Sequence, residues 1–412
     1  MHPSCQEKAG LKEVIRFFAW LGLVSFGGPA GQIAILREEL VERRKWLSAG
    51  EFARGLNFCL LLPGPEAHQL AIYSGWKMQG LRGAVAAAVL FVLPAALLLW
   101  VLSVLYACYG NIESVQTVFA LVRPAVLAII IAALVRMARH HLGDGHAWFM
   151  ALAAFVAMFF FSVPFPWIIV FAFGLGLVTR AATKTHAPDA IVDSAPTPWR
   201  AAGVILFLWI APIMLAVLFF GAESLLVSLG LFFSKTALVT FGGAYAVLPY
   251  VADHSIAAGW ISSTAMKDGL ALAETTPGPL VIVLQFAGFF AGWNNPAALP
   301  PLAMATLGAA ITTWVTFLPS LLFILLGAPH VDRLAQSPRA SAALATVGAA
   351  VVGVIANLAA WFAAGVFAPG EDLALSAVMA GVALWLIVGR GWSIPSVVGI
   401  AAAAGVLKAF AM

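Results

Sequence analysis

The runs 84–105, 147–161 and 342–368 are apolar almost without interruption. They reach or approach the ~20 residues a helix needs to cross the hydrocarbon of a bilayer. Few folds survive that constraint. In lipid every backbone N–H and C=O must be paired within a helix or a closed barrel, and barrel strands alternate polar and apolar residues. These runs are continuous, so the expectation is an all-α, polytopic helical membrane protein embedded in the lipid bilayer. Composition agrees: 62% of the 412 residues are hydrophobic and 10% charged, against about 25% charged in a soluble domain. The formal charge of +4 then records orientation across the membrane, and no nucleic-acid partner is expected. Cys5, Cys59 and Cys108 stand at no metal or redox spacing. There is no dinucleotide fingerprint, phosphate loop or nucleophile elbow. No cofactor, no metal and no enzyme activity are expected. The polar, mixed-charge start Met1–Lys12 does not read as a signal peptide.

The chain also repeats itself. Ser25-Phe26-Gly27-Gly28 matches Thr240-Phe241-Gly242-Gly243, and Trp46-Leu47-Ser48 matches Trp260-Ile261-Ser262. Pro63-Gly64-Pro65 matches Pro277-Gly278-Pro279, and Tyr73-Ser74-Gly75-Trp76 parallels Phe286-Ala287-Gly288-Phe289. These landmarks recur in order at offsets of 213 to 215 residues, which chance does not produce. The chain divides into 1–195, a first repeat with its linker around 183–200, and 196–412, where a connecting helix precedes the second repeat at 220–412. Apolar segments fall at 14–36, 53–76, 83–107, 114–138, 146–162 and 165–180, then 201–220, then 226–250, 266–292, 300–327, 342–368, 372–389 and 393–411.

Lys and Arg orient these segments. If the Gly-Gly and Pro-Gly-Pro segments dip in and return, the cytoplasmic stretches gather most of the basic residues, among them Arg37, Arg43, Arg44, Lys45, Arg136, Arg139 and Arg200. The outside stretches keep only Lys267 and Lys408. Full crossing would put the basic 37–51 loop outside, against the positive-inside bias. The expectation is four crossings per half plus 201–220, which inverts the second half, an arrangement many secondary transporters use.

Gly-Gly and Pro-Gly-Pro are poor choices inside a continuous helix. Broken backbone at membrane depth survives only where protein or water satisfies it, and breaks in matching positions of two halves point to a transport site. Packing kinks are the plain alternative. Pro65 and Pro279 suit the first turn of a following half-helix, whose positive end favours an anion. The expected anion cradle is therefore Gly27, Gly28, Pro63, Gly64, Pro65, Gly242, Gly243, Pro277, Gly278 and Pro279. Gln69, Thr275, Thr276 and Gln285 would supply neutral hydrogen bonds. Lys235 and Arg123, the basic residues well within apolar segments, would supply charge, since a mid-bilayer cation faces a cavity or a partner; snorkelling is the alternative. Glu66 and Glu274 beside the motifs are read either as proton-coupling groups or as salt-bridge organisers. His68 is weak evidence, and His140 and His141 read as solvated.

These same residues carry a resemblance. Phe26-Gly27-Gly28-Pro29, Glu42-Arg43-Arg44-Lys45-Trp46-Leu47 and Leu62-Pro63-Gly64-Pro65-Glu66 through Gln69-Leu70-Ala71 look like the first domain of the chromate ion transporter family. Ser234-Lys235-Thr236 through Phe241-Gly242-Gly243-Ala244-Tyr245-Ala246-Val247-Leu248-Pro249-Tyr250, with Ala273-Glu274-Thr275-Thr276-Pro277-Gly278-Pro279, resembles its second domain. The resemblance spans nearly the whole chain in the long, two-domain form. It implies export of chromate across the cytoplasmic (inner) membrane and chromate resistance, with sulfate as the chemical mimic. A sulfate or other oxyanion transporter or exchanger, or an anion channel, is the alternative. A homodimer is an open option.

Overall fold

A computed structural model describes residues 9–26, 28–178, 198–297, 299–331, 338–368 and 372–411, without the side chains of Ala30 and 338–341. Gly27 and most of the expected linker lie outside the described residues. Everything regular among the described residues is helical. The first half runs α1 (Leu11–Val24), α2 (Gly28–Arg37), α3 (Ala49–Leu61), α4 (Glu66–Tyr109), α5 (Glu113–His141), α6 (Gly145–Phe161) and α7 (Phe165–Val178). After α8 (Trp199–Phe220) come α9 (Leu225–Val239), α10 (Ala244–Ala257), α11 (Ser263–Thr275), α12 (Val283–Asn294) and α13 (Pro301–Gly327). The chain closes with α14 (Pro338–Val366), α15 (Leu373–Leu384) and α16 (Ile394–Ala411). α4 is two limbs, broken at Gln79 and Gly80, where the backbone leaves helical angles. His140 and His141 form the last turn of α5 rather than a loop, and His141 packs against Gly348.

The sequence landmarks have local causes. Ser48 and Ser262 are helix N-caps: the Ser48 hydroxyl accepts the Glu51 N–H at 3.2 Å and the Ser262 hydroxyl that of Ala265 at 3.1 Å. Glu51 reaches back to the Ser48 N–H at 2.9 Å, completing a capping box.

α1, α2, α3, α10 and α11 have 14, 10, 13, 14 and 13 residues. At ~1.5 Å per residue none spans a ~30 Å hydrocarbon core. They fold back as hairpins instead. Trp46, beyond α2, packs on Phe17 of α1 with ring centroids 5.7 Å apart, and the Arg44 guanidinium lies 5.1 Å from the same ring. The second half repeats this with Trp260 on Phe232 of α9 at 5.6 Å. α3 pairs with the first limb of α4 through Gly55 and Tyr73, and α11 with α12 through Gly269 and Phe286. The hairpins are therefore re-entrant, with the Gly-Gly and Pro-Gly-Pro motifs at their tips.

The halves interlock. α5 lies against α15 and α16 of the second half, and α14 against α6 and α7 of the first. α1 packs on the second limb of α4 as α9 packs on α13. Small residues permit close approach: Gly75 on Gly83 in one half, Gly288 on Gly308 in the other. Each re-entrant hairpin leaves the chain on the side it entered; between the repeats α4, α5 and α8 are long enough to cross, and the shorter pair α6 and α7 goes in and returns, so the number of passages is odd. The second repeat is inverted. Among the described helices α8 is the one without a counterpart, its surface mostly exposed through residues such as Phe207, Leu218 and Phe219.

Candidate functional site

The four hairpin tips meet and bond across the halves. The Gly64 N–H donates to the Thr240 carbonyl at 2.7 Å, and the Gly278 N–H donates to the Ser25 carbonyl at 2.8 Å. Each Pro-Gly-Pro tip is thus held by the residue that opens the other half's Gly-Gly turn. Gly64 and Gly278 have φ of +128° and +96°, a region that side-chain-bearing residues rarely adopt. The flanking prolines remove two N–H donors that would otherwise need partners at this depth.

Side chains finish the pairing. The Gln32 amide donates to the Ser25 and Gly278 carbonyls, the Gln69 amide to Pro63 at 2.6 Å, and the Gln285 amide to Ala96 at 2.8 Å. The amide oxygens of all three glutamines are buried without a partner among the described residues. Thr275 and Thr276 donate to Leu272 and Ala273 at 2.7 and 2.9 Å, so both hydroxyls close the end of α11. Helices α2, α4, α10 and the turn Leu280–Ile282 before α12 all begin at the tips, which directs their positive ends inward.

The carboxylates are placed crosswise as well. Glu66, in the first turn of α4, brings Oε1 within 3.9 Å of where a side chain on Gly243 would begin. It makes no hydrogen bond or ion pair among the described residues. Glu274 is buried and accepts the Tyr245 hydroxyl at 2.6 Å. That hydroxyl stands 4.0 Å from where a side chain on Gly28 would begin. Arg136, exposed on α5, lies within electrostatic reach of Tyr245 and Glu274.

The expected cations are elsewhere. Arg123 is committed to Asp268 of α11, Nε to Oδ1 at 2.7 Å and Nη2 to Oδ2 at 3.0 Å. Tyr106 donates to the same carboxylate at 2.6 Å, and Gln116 accepts from Arg123 at 3.3 Å. Asp268 is wholly buried, so the pair is a bidentate bridge between α5 and α11, along the hairpin rather than at its tip. This corrects the expectation that Arg123 joins the cradle. Lys235 sits on the exposed face of α9, with His254 nearby; it is not gathered with the tips either.

Of the expected residues, the structure brings together Gly28, Pro63, Gly64, Pro65, Glu66, Gln69, Gly242, Gly243, Glu274, Thr275, Thr276, Pro277, Gly278, Pro279 and Gln285. Sequence reasoning missed Gln32, Tyr245, Asp268 and the register of the crossing helices. Leu93-Pro94 and Leu318-Pro319 were the available signal: Gly278 meets Ala95 and Gly64 meets Ser320, so these prolines are equivalent.

Re-entrant hairpins from two inverted repeats, joined tip to tip in the membrane, define a polytopic transporter. A family model described as chromate transporter matches residues 12–177 and 227–406, one stretch in each half. The chain belongs to the chromate transporter family, which comprises transporters rather than enzymes. It is 35% identical over 346 residues to the chromate transport protein of Pseudomonas aeruginosa, covering 82% of this chain and 77% of that one. It is 30% identical over 347 residues to the chromate transport protein of Cupriavidus metallidurans, covering 84% and 80%. No solved structure matches it.

Proposed function

We propose that this protein is a secondary transporter that exports chromate across the cytoplasmic membrane and thereby confers chromate resistance. The observation that carries the reading is the reciprocal bonding of Gly64 to Thr240 and Gly278 to Ser25, which gathers four helix beginnings at one place. An oxyanion there meets backbone N–H groups and positive dipole ends without a fixed cation. The tips, with Gln69, Gln285 and the neighbouring hydroxyls, are the proposed binding residues.

Energetics favours the outward direction. Chromate is a dianion near neutral pH, and the cell interior is negative. Two charges moving out through 100 mV release about 4.6 kcal/mol, twice the ~2.3 per elementary charge. Glu66 and Glu274 are the proposed coupling groups: a carboxylate at an anion site repels the substrate unless it carries a proton or is paired.

Inverted vesicles test the reading. Chromate accumulation driven by an imposed potential, and altered by a protonophore, is the expected result. Equilibration that never exceeds the potential under any proton gradient would mark a channel instead. Preference for sulfate in competition would reassign the substrate.

A further inference from the structure

Thr312, Thr316 and Ser320 stand one turn apart on the inward face of α13, only 0%, 3% and 1% exposed. None of the three hydroxyl oxygens has a hydrogen-bond partner among the described residues. Elsewhere on the same helix, Thr306 and Thr313 donate to the carbonyls of Leu302 and Ala309 at 2.7 and 2.8 Å. Bonding to the carbonyl four residues back is the ordinary way a helix satisfies Ser or Thr. The inward three do not make this bond. A buried hydroxyl left open in a membrane interior is costly and calls for a partner.

The row has two definite ends. Ser320 Oγ lies 2.9 Å from where a side chain on Gly64 would begin, at the first Pro-Gly-Pro tip, and Thr312 lies against Gly288 of α12. At ~1.5 Å rise per residue the steps are ~6 Å and the row is ~12 Å long. Gln69, whose amide oxygen also lacks a partner among the described residues, borders the Ser320 end. The equivalent helix gives the contrast. Gly75 meets Ala87 as Gly288 meets Thr312, and Gly278 meets Ala95 as Gly64 meets Ser320. The second limb of α4 therefore presents Ala87, Phe91 and Ala95 where α13 presents Thr312, Thr316 and Ser320. The duplicated architecture does not require these hydroxyls.

We propose that Thr312, Thr316 and Ser320 form a ladder of hydrogen-bond donors along which a tetrahedral oxyanion passes between the hairpin tips and the α12–α13 end of the membrane. Neutral donors suit passage, because a site that conducts must bind weakly enough to release, and three in file let each oxygen contact be exchanged for the next. The inference rests on the transport reading above and adds a route to it.

The test measures initial chromate uptake in vesicles holding the full-length protein. Thr316→Val and the triple variant Thr312→Val/Thr316→Val/Ser320→Ala should lower the rate at least tenfold. Thr316→Ser should keep at least half of it, and Thr313→Val on the same helix should leave it unchanged. A triple variant with the wild-type rate overturns the ladder. A second arm guards against misfolding. With Cys5, Cys59 and Cys108 replaced by Ala, single Thr312→Cys, Thr316→Cys and Ser320→Cys variants are treated with a small anionic methanethiosulfonate. Chromate or sulfate, tested separately, should slow labelling at least fivefold. Labelling at none of the three, or labelling that neither anion slows, overturns the proposal. Wild-type vesicles that move no chromate would sink the transport reading alone, and the labelling arm would still decide the ladder.

Discussion

The second limb of α4 and helix α13 hold equivalent places in the two halves, with equivalent prolines, Pro94 and Pro319, and equivalent partners. One turns Ala87, Phe91 and Ala95 toward the centre, all fully buried; the other turns Thr312, Thr316 and Ser320. The hairpins differ in the same spirit. Asp268 of α11 anchors a buried ion pair, whereas the position in register with it in α3 is Arg54. Glu274 precedes the second Pro-Gly-Pro, and Glu66 follows the first. Duplication supplies the scaffold, and unlike side chains on like backbones supply the chemistry.

The largest effect should come from the unlike pair of positions 54 and 268. Asp268→Ala leaves Arg123 buried beside a lost partner and should destabilise the protein by about 3–5 kcal/mol, read as a collapse in yield and thermal stability in detergent. The double variant Arg123→Met/Asp268→Leu should recover most of that loss. If Asp268→Ala is as stable as the wild type, the asymmetry of α11 is decorative.

Next come the like pair of tips. Gly64→Ala and Gly278→Ala both force a side chain into positive φ, a strain of order 1–3 kcal/mol, and Gly278→Ala also drives a carbon into Ala95. Each should cut transport by about tenfold to a hundredfold, and Ala95→Gly should partly rescue only Gly278→Ala. Equal rescue of both would break the equivalence drawn between the two contacts.

The carboxylates sharpen the comparison further. Glu66→Gln should remove the protonophore sensitivity of chromate uptake while the protein stays folded, because Glu66 bonds to no described residue. Glu274→Gln keeps a hydrogen-bonding oxygen for Tyr245 and should alter uptake less. The reverse ranking in vesicle assays would move the coupling role to the second half. The smallest effects belong to the matched caps: Ser48→Ala and Ser262→Ala should each cost about 1 kcal/mol, seen as similar small falls in melting temperature.

The membrane class, the duplication and the motif tips were legible in the sequence because each leaves a local mark: an apolar run, an offset, a proline beside a glycine. The re-entrant turns followed from basic residues at 37–45, and the packing of Trp46 and Arg44 on Phe17 gives the same fold-back. Arg123 was misplaced because a lone cation in an apolar segment does not name its partner. Asp268 is 145 residues away and only tertiary packing joins them. Lys235 beside its motif was read as inward-facing, but the helical period turns it outward while Thr236 and Phe233 point in. The hydroxyls of α13 were invisible as a set, since Thr and Ser every fourth residue are common where a helix satisfies them itself. Their meaning appears only from the bonds left unmade.

The exchange of partners between α5 and the closing pair α15–α16 has a consequence for biogenesis. α5 enters the bilayer early, yet the helices that cover it are synthesised much later. At ~5–20 residues per second the ribosome takes roughly 15–50 s to supply them. Throughout that interval the nascent protein exposes to lipid or to an insertion factor a flank shaped for helices that do not yet exist. A truncated product would remain permanently open there, a natural mark for membrane proteases.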